Sequence, residues 1–180
     1  MQARWFMAFA FAAFAMAVVA AGCGGSSDKK SNEAYANSVC SAIDNWQTQV
    51  KSLATGISGQ TTQAAIQGKA SQFETETKNL VNQIKAIPPP DTSEGQAAKQ
   101  QLDQLGTDLT NSVNAVKSGL ASIQSNPSAA TIAAAIATLA PQLQSLANTT
   151  KSAVSSIKDA GGSLADAFKK SDSCKSLQSS

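Results

Sequence analysis

Few side chains in this sequence can do chemistry, and their spacing limits what they can do. The chain has no histidine. It therefore has no Ser–His or Cys–His pair to activate a nucleophile. A zinc or copper site would also lack its usual imidazole ligands. Paired carboxylates remain. Glu74 and Glu76 are two apart, and Asp103 and Asp108 five apart, so on helices each pair diverges. Glu74 with Lys78 and Asp166 with Lys170 have the i,i+4 spacing of solvent-exposed ion pairs. Gly161-Gly162 is followed by no Lys-Ser/Thr at phosphate-loop spacing. The thioredoxin-like Cys-x-x-Cys is absent. The residue types thus point away from an enzyme, and no catalytic residue, cofactor or metal ligand is expected. The remaining candidate is apolar: Trp46 and Phe73, read as a core pair or as the lining of a ligand pocket between helices.

Charge excludes a further class. The formal net charge is +2, from 14 basic and 12 acidic residues. One positive charge is Arg4, near the start. Such a balance forms no cationic face, so a nucleic-acid partner is not expected.

The beginning of the chain differs from the rest. Arg4 precedes the apolar run Trp5 to Ala21, which ends in small residues. A basic start, an apolar core and a small-residue end make a secretory signal. The junction Val19-Ala20-Ala21-Gly22-Cys23 resembles the lipobox of bacterial lipoproteins, although Ala20 stands where that family favours leucine. The resemblance implies cleavage before Cys23, a diacylglycerol thioether on its sulfur, and an acyl chain such as palmitate on the new amino terminus. The alternatives are an ordinary signal peptide cut near Ala21 and an uncleaved anchor. Tyr35-Ala36-Asn37-Ser38-Val39-Cys40 and Ser171-Asp172-Ser173-Cys174 resemble segments of uncharacterised small helical lipoproteins of high-GC Gram-positive bacteria. That resemblance implies a lipid-anchored, extracytoplasmic address and a helical fold, with no activity attached to particular residues.

Residues 24–32 contain no apolar side chain and are rich in Gly and Ser. They are expected to form a flexible tether. The organisation is then a signal peptide over 1–22, a tether over 23–32 and a helical domain over 33–180. There are three cysteines, and an odd number in an exported protein needs an explanation. Lipidation of Cys23 leaves Cys40 and Cys174 as a pair in a compartment that permits disulfides. The alternative is two buried thiols.

Positioning falls to helices. Apolar residues recur at alternating steps of four and three in four seams: Val39 to Ile57, Ile66 to Ile87, Leu102 to Ile123, and Ile132 to Ile157. Thr77 and Thr150 occupy seam positions. Gly56 to Gln60 marks the first turn, and Pro88-Pro89-Pro90 stops the second helix. Asp91 or Thr92 can cap the third. Asn126-Pro127 reads as a cap with a first-turn proline. Pro141 should kink or split the fourth helix, and Gly161-Gly162 should end it. Ser163 can cap a short last helix reaching about Lys170. No run alternates as a strand would. The expected fold is all-α, an antiparallel up-down-up-down bundle of about four long helices with a short C-terminal helix. In that topology the fourth helix returns to the end where the first began, which brings Cys40 and Cys174 together.

Two functions fit these expectations. The first is a membrane-anchored module of the cell envelope that holds a protein partner or plays a structural role. The alternative is a carrier binding a small apolar ligand between its helices. A cavity lined by Trp46 and Phe73 would favour the carrier; a filled core with an exposed apolar stripe would favour the module.

Overall fold

In a computed structural model of the chain, residues 27–58, 62–125 and 128–179 are described. Their regular structure is entirely helical. Four long helices form an all-α bundle: α1 (Ser27–Ser58), α2 (Gln63–Ala86), α3 (Ser93–Ser125) and α4 (Ala129–Asp159). Two short ones follow, α5 (Gly162–Lys170) and α6 (Asp172–Ser179). The expected signal peptide, Cys23, the Gly59–Gln60 part of the first turn and the Asn126-Pro127 cap lie outside the described residues.

The seams become the core. Val39, Ile43, Trp46 and Val50 of α1 are buried, as are Ile66, Phe73 and Leu80 of α2. The same holds for Leu102, Leu105, Leu109 and Val113 of α3, and for Leu139, Leu143, Leu146 and Val154 of α4. Side contacts give the direction of each pair. Trp46 meets Thr77 while Gly56 lies against Lys69, so residue numbers rise along α1 as they fall along α2. Glu74 meets Lys117 while Gly106 lies against Val81, so α2 and α3 also run oppositely. α4 packs on α3 and closes the bundle against α1. This is the up-down-up-down arrangement.

The helix ends follow local chemistry. Thr62 caps α2 by accepting from the Ala65 N–H at 3.4 Å. Thr92, rather than Asp91, accepts from the Gly95 N–H at 3.0 Å. Gly95 is needed there because a Cβ would collide with the Pro90 carbonyl. The N-cap of α4 is Ser128 and not the expected Asn126: Ser128 and Thr131 form a reciprocal cap, each side chain accepting from the other's N–H.

Further expectations are changed by the structure. The tether does not extend to Asn32: α1 begins at Ser27, and Asn32 is buried with its Nδ2 donating to Ser163 Oγ at 2.9 Å. A polar sequence read as linker is here the first turns of a helix, fixed by what it packs against. Of the two outcomes expected at Pro141, a kink or a split, the split does not occur: α4 runs unbroken past it. Pro141 is exposed, so the carbonyl it leaves without a helical donor, that of the exposed Ala137, faces water. Ser163 does not cap α5; the N-cap position is Gly161, which has no side chain to offer. A second short helix, α6, follows the expected last one. Ser171 caps it, its Oγ accepting from the Cys174 N–H at 3.3 Å, and Leu177 is buried.

Candidate functional site

Two places bring the singled-out residues together: the end of the bundle where α1 begins, and the groove between α1 and α4.

At the first, Cys40 of α1 and Cys174 of α6 form a disulfide with a Cα–Cα distance of 5.0 Å. Both cysteines are fully buried. The pair joins positions 134 residues apart. Phe168 of α5 is completely buried and stands edge-on to Tyr35, with ring centroids 6.1 Å apart and planes at 70°. Lys158 is buried as well, and its ammonium donates to the Cys174 carbonyl at 3.1 Å. Burial pulls the Lys158 pKa down, and the charge of Asp159 pushes it part of the way back.

A second tie crosses this end. Glu94, in the first turn of α3, accepts from the Leu164 N–H at 3.1 Å and from Ser163 Oγ at 3.3 Å. Its carboxylate does for α5 what a cap residue would, and the negative charge suits the helix start. Gly161 and Gly162 have φ of 80° and 79°. A Cβ on Gly162 would also run into the Glu94 carboxylate. The glycine pair therefore ends α4 and leaves room for a cap supplied by another helix.

Burial raises the Tyr35 pKa to about 12, with a smaller contribution from the charge of Asp103. The sign follows from linkage. Unfolded chain loses the phenolic proton at a lower pH than folded chain, so stability from this group is intact below about 10 and falls between about 10 and 12. Tyr35 is the single tyrosine, so alkaline titration of the tyrosinate absorbance reads it alone. The midpoint is expected near 12 in folded protein and near 10 after denaturation. A folded-state midpoint near 10 would mean the ring is open to water.

The carboxylates behave as surface groups. Glu74 accepts from Lys78 at 2.7 Å and from Lys117 at 3.1 Å. Those two bonds, Lys78 first, hold its carboxyl below the usual range. Asp103 pairs with Lys99, and Asp108 accepts from Gln104. Asp172 is likewise lowered by Lys175. The expected Asp166–Lys170 pair does not form: among the described residues the ion pairs are Lys78–Glu74, Lys99–Asp103, Lys117–Glu74 and Lys175–Asp172.

The groove between α1 and α4 has a volume of about 610 Å³. Trp46, Val50 and Leu143 form its floor, and Ala54 and Ala147 its walls, with Lys51 and Lys151 at its borders. Phe73 is not part of it. Phe73 is packed in the core on the α2 side, so the expected Trp46–Phe73 pocket is replaced by one that Trp46 shares with α4. The two faces of Trp46 explain the change. Its indole N–H donates to Thr77 of α2 at 3.2 Å, fixing the ring edge inward. Next to it, the buried Gln47 donates to Thr150 of α4 at 2.7 Å, and Thr150 donates to the Ala147 carbonyl. Adjacent residues of α1 thus tie α2 and α4 at one level. Thr77 and Thr150 hold seam positions because their hydroxyls serve Trp46 and Gln47. Periodicity marked these threonines but could not identify their partners.

In comparisons with known proteins, the chain matches no family model, no curated protein and no solved structure.

Proposed function

We propose that the chain is a lipoprotein held at the extracytoplasmic face of a membrane through lipid on Cys23, and that its helical bundle serves as a structural or protein-interaction module of the cell envelope. The observation that carries this reading is the cysteine pairing. Cys40 and Cys174 bond to each other, so by count Cys23 is left over. It stands directly after a basic residue, an apolar run and a small-residue junction. A disulfide closed over 134 residues also suits a chain delivered to an oxidising compartment.

The start of α1 refines the geometry of the tether. Three residues, 24–26, separate Cys23 from Ser27. Even fully extended, three residues span at most about 10–11 Å. The bundle would then sit close to the headgroups, with the end bearing the disulfide, Tyr35 and Phe168 nearest the membrane. α4 is long and apolar enough to cross a membrane by length and composition. It is instead paired with α3 and α1 in the bundle, so the anchor is assigned to the amino terminus.

The test is intact mass of protein purified from a bacterial membrane, compared with Cys23→Ser. A chain beginning at Cys23 plus a diacylglycerol is expected, with the variant unprocessed or released. A mature mass without lipid would end the lipoprotein reading.

A second reading, a carrier for a small apolar ligand, is favoured by one observation: the α1/α4 groove falls within the roughly 300–1,000 Å³ typical of ligand sites and has an apolar floor.

A further inference from the structure

The wall of the α1/α4 groove contains a polar group whose bonding is incomplete. Gln47 lines the groove and is 2% exposed. Its amide nitrogen donates to Thr150 Oγ1 at 2.7 Å and to the Ala147 carbonyl at 3.4 Å. Its amide oxygen, Oε1, is buried and accepts no hydrogen bond. The neighbours fix which atom is which. An oxygen in the nitrogen's place would face the Ala147 carbonyl, to which Thr150 already gives its proton. Asn32 Oδ1 and Gln101 Oε1 are in the same state, but neither residue lines this groove. Buried acceptors without a donor are few in folded proteins, because each forfeits its bonds to water.

The shape of the groove selects the body of a ligand, and Gln47 selects its head. The floor is apolar and elongated: from Trp46 to Thr55 it follows α1 for about 14 Å. That suits a single alkyl chain. Gln47 stands at the Trp46 end, and its free oxygen calls for a donor. A carboxylate only accepts, so it would set one acceptor against another. An ammonium would donate, but there is no carboxylate among the lining residues to balance it, and Lys151 carries the same charge. A hydrocarbon would leave Oε1 as it is. A hydroxyl donates and carries no charge. Because Oε1 is shielded from solvent, the hydroxyl seats in the wall, where its bond does not compete with water.

We infer that this groove binds a neutral single-chain lipid with a hydroxyl head, its alkyl chain along Val50, Ala54 and Leu143 and its hydroxyl donating to Gln47 Oε1. The inference rests on the carrier reading and adds the charge and hydrogen-bonding character of the ligand's head.

The experiment is photolabelling of the full chain in phosphatidylcholine vesicles with dodecanol bearing a diazirine in its chain, followed by peptide mapping. Label is expected on α1 and α4 at the groove. At equal concentration in the membrane, unlabelled dodecanol should suppress it roughly five- to tenfold better than dodecyl methyl ether, which keeps the chain and the oxygen but has no proton to donate. Dodecanoate should also compete less well than the alcohol. Gln47→Met keeps the length of the side chain and removes the amide, so alcohol and ether should then compete equally. Ala54→Leu should block labelling by filling the groove while Gln47 remains. The comparison of alcohol with ether on the parent chain decides the matter even where Gln47→Met fails to fold. Equal suppression by the two, or stronger suppression by dodecanoate, overturns the hydroxyl head and leaves an apolar carrier. Labelling without preference for the groove overturns both.

Discussion

Replacing Cys40 and Cys174 together by alanine is expected to lower stability by roughly 4–5 kcal/mol, the loop-closure entropy that a link over 134 residues removes from the unfolded chain. For a chain of this size that corresponds to a fall in melting temperature of roughly 10–20 °C. The double substitution avoids leaving a reactive buried thiol, and alanine adds no polar group to a site that is fully buried. The bond joins the first long helix to the last short one. What then holds α5 and α6 in place is the packing of Leu164, Phe168 and Leu177, the Glu94 cap and the Lys158 bond to the Cys174 carbonyl. Thermal unfolding followed by circular dichroism, with and without reductant, measures the effect. A loss below about 1 kcal/mol would show that these contacts hold the end together without the covalent link.

Phe168→Ala is expected to cost roughly 3–5 kcal/mol, the range for removing a fully buried aromatic ring and leaving a cavity. The lost edge-to-face contact with Tyr35 is part of that cost. Phe168→Leu keeps most of the apolar volume and should cost less than the alanine change. Urea unfolding of the two variants separates cavity from ring geometry. Tyr35 supplies a local check: in Phe168→Ala its raised pKa should move back toward 10 as water reaches the phenol. An alanine variant within about 1 kcal/mol of the parent would mean that α5 lies outside the cooperative core.

The two effects concern one end of the molecule but act through different states. The disulfide restricts the unfolded chain, while Phe168 fills the folded one. Together they make α5 and α6, the carboxyl-terminal tenth of the chain, a clasp on the first half of α1, the segment that would lead to the tether. Among the described residues the opposite end has neither link nor carboxylate.

Helix identity and order were legible in the sequence because both depend on local chemistry. Seams at steps of three and four, the proline triplet, Thr92 and the glycine pair act within a few residues of themselves. The all-α bundle and the disulfide end followed from them, since four antiparallel helices must return the chain to its starting end. Tertiary structure decided whatever depends on partners distant in sequence. Asn32 belongs to α1 because Ser163 lies opposite it. α5 is capped by Glu94, about seventy residues earlier, because Gly161 has no side chain to do so. α6 is too short for periodicity to register and is held by Cys174 and Leu177. Trp46 lines a groove with α4 instead of a pocket with Phe73, because Thr77 fixes its indole edge and Gln47 draws α4 alongside. A seam shows which face of a helix is buried; which neighbour covers each part of it, and where a gap remains, is settled only when side chains from all the helices compete for the same space.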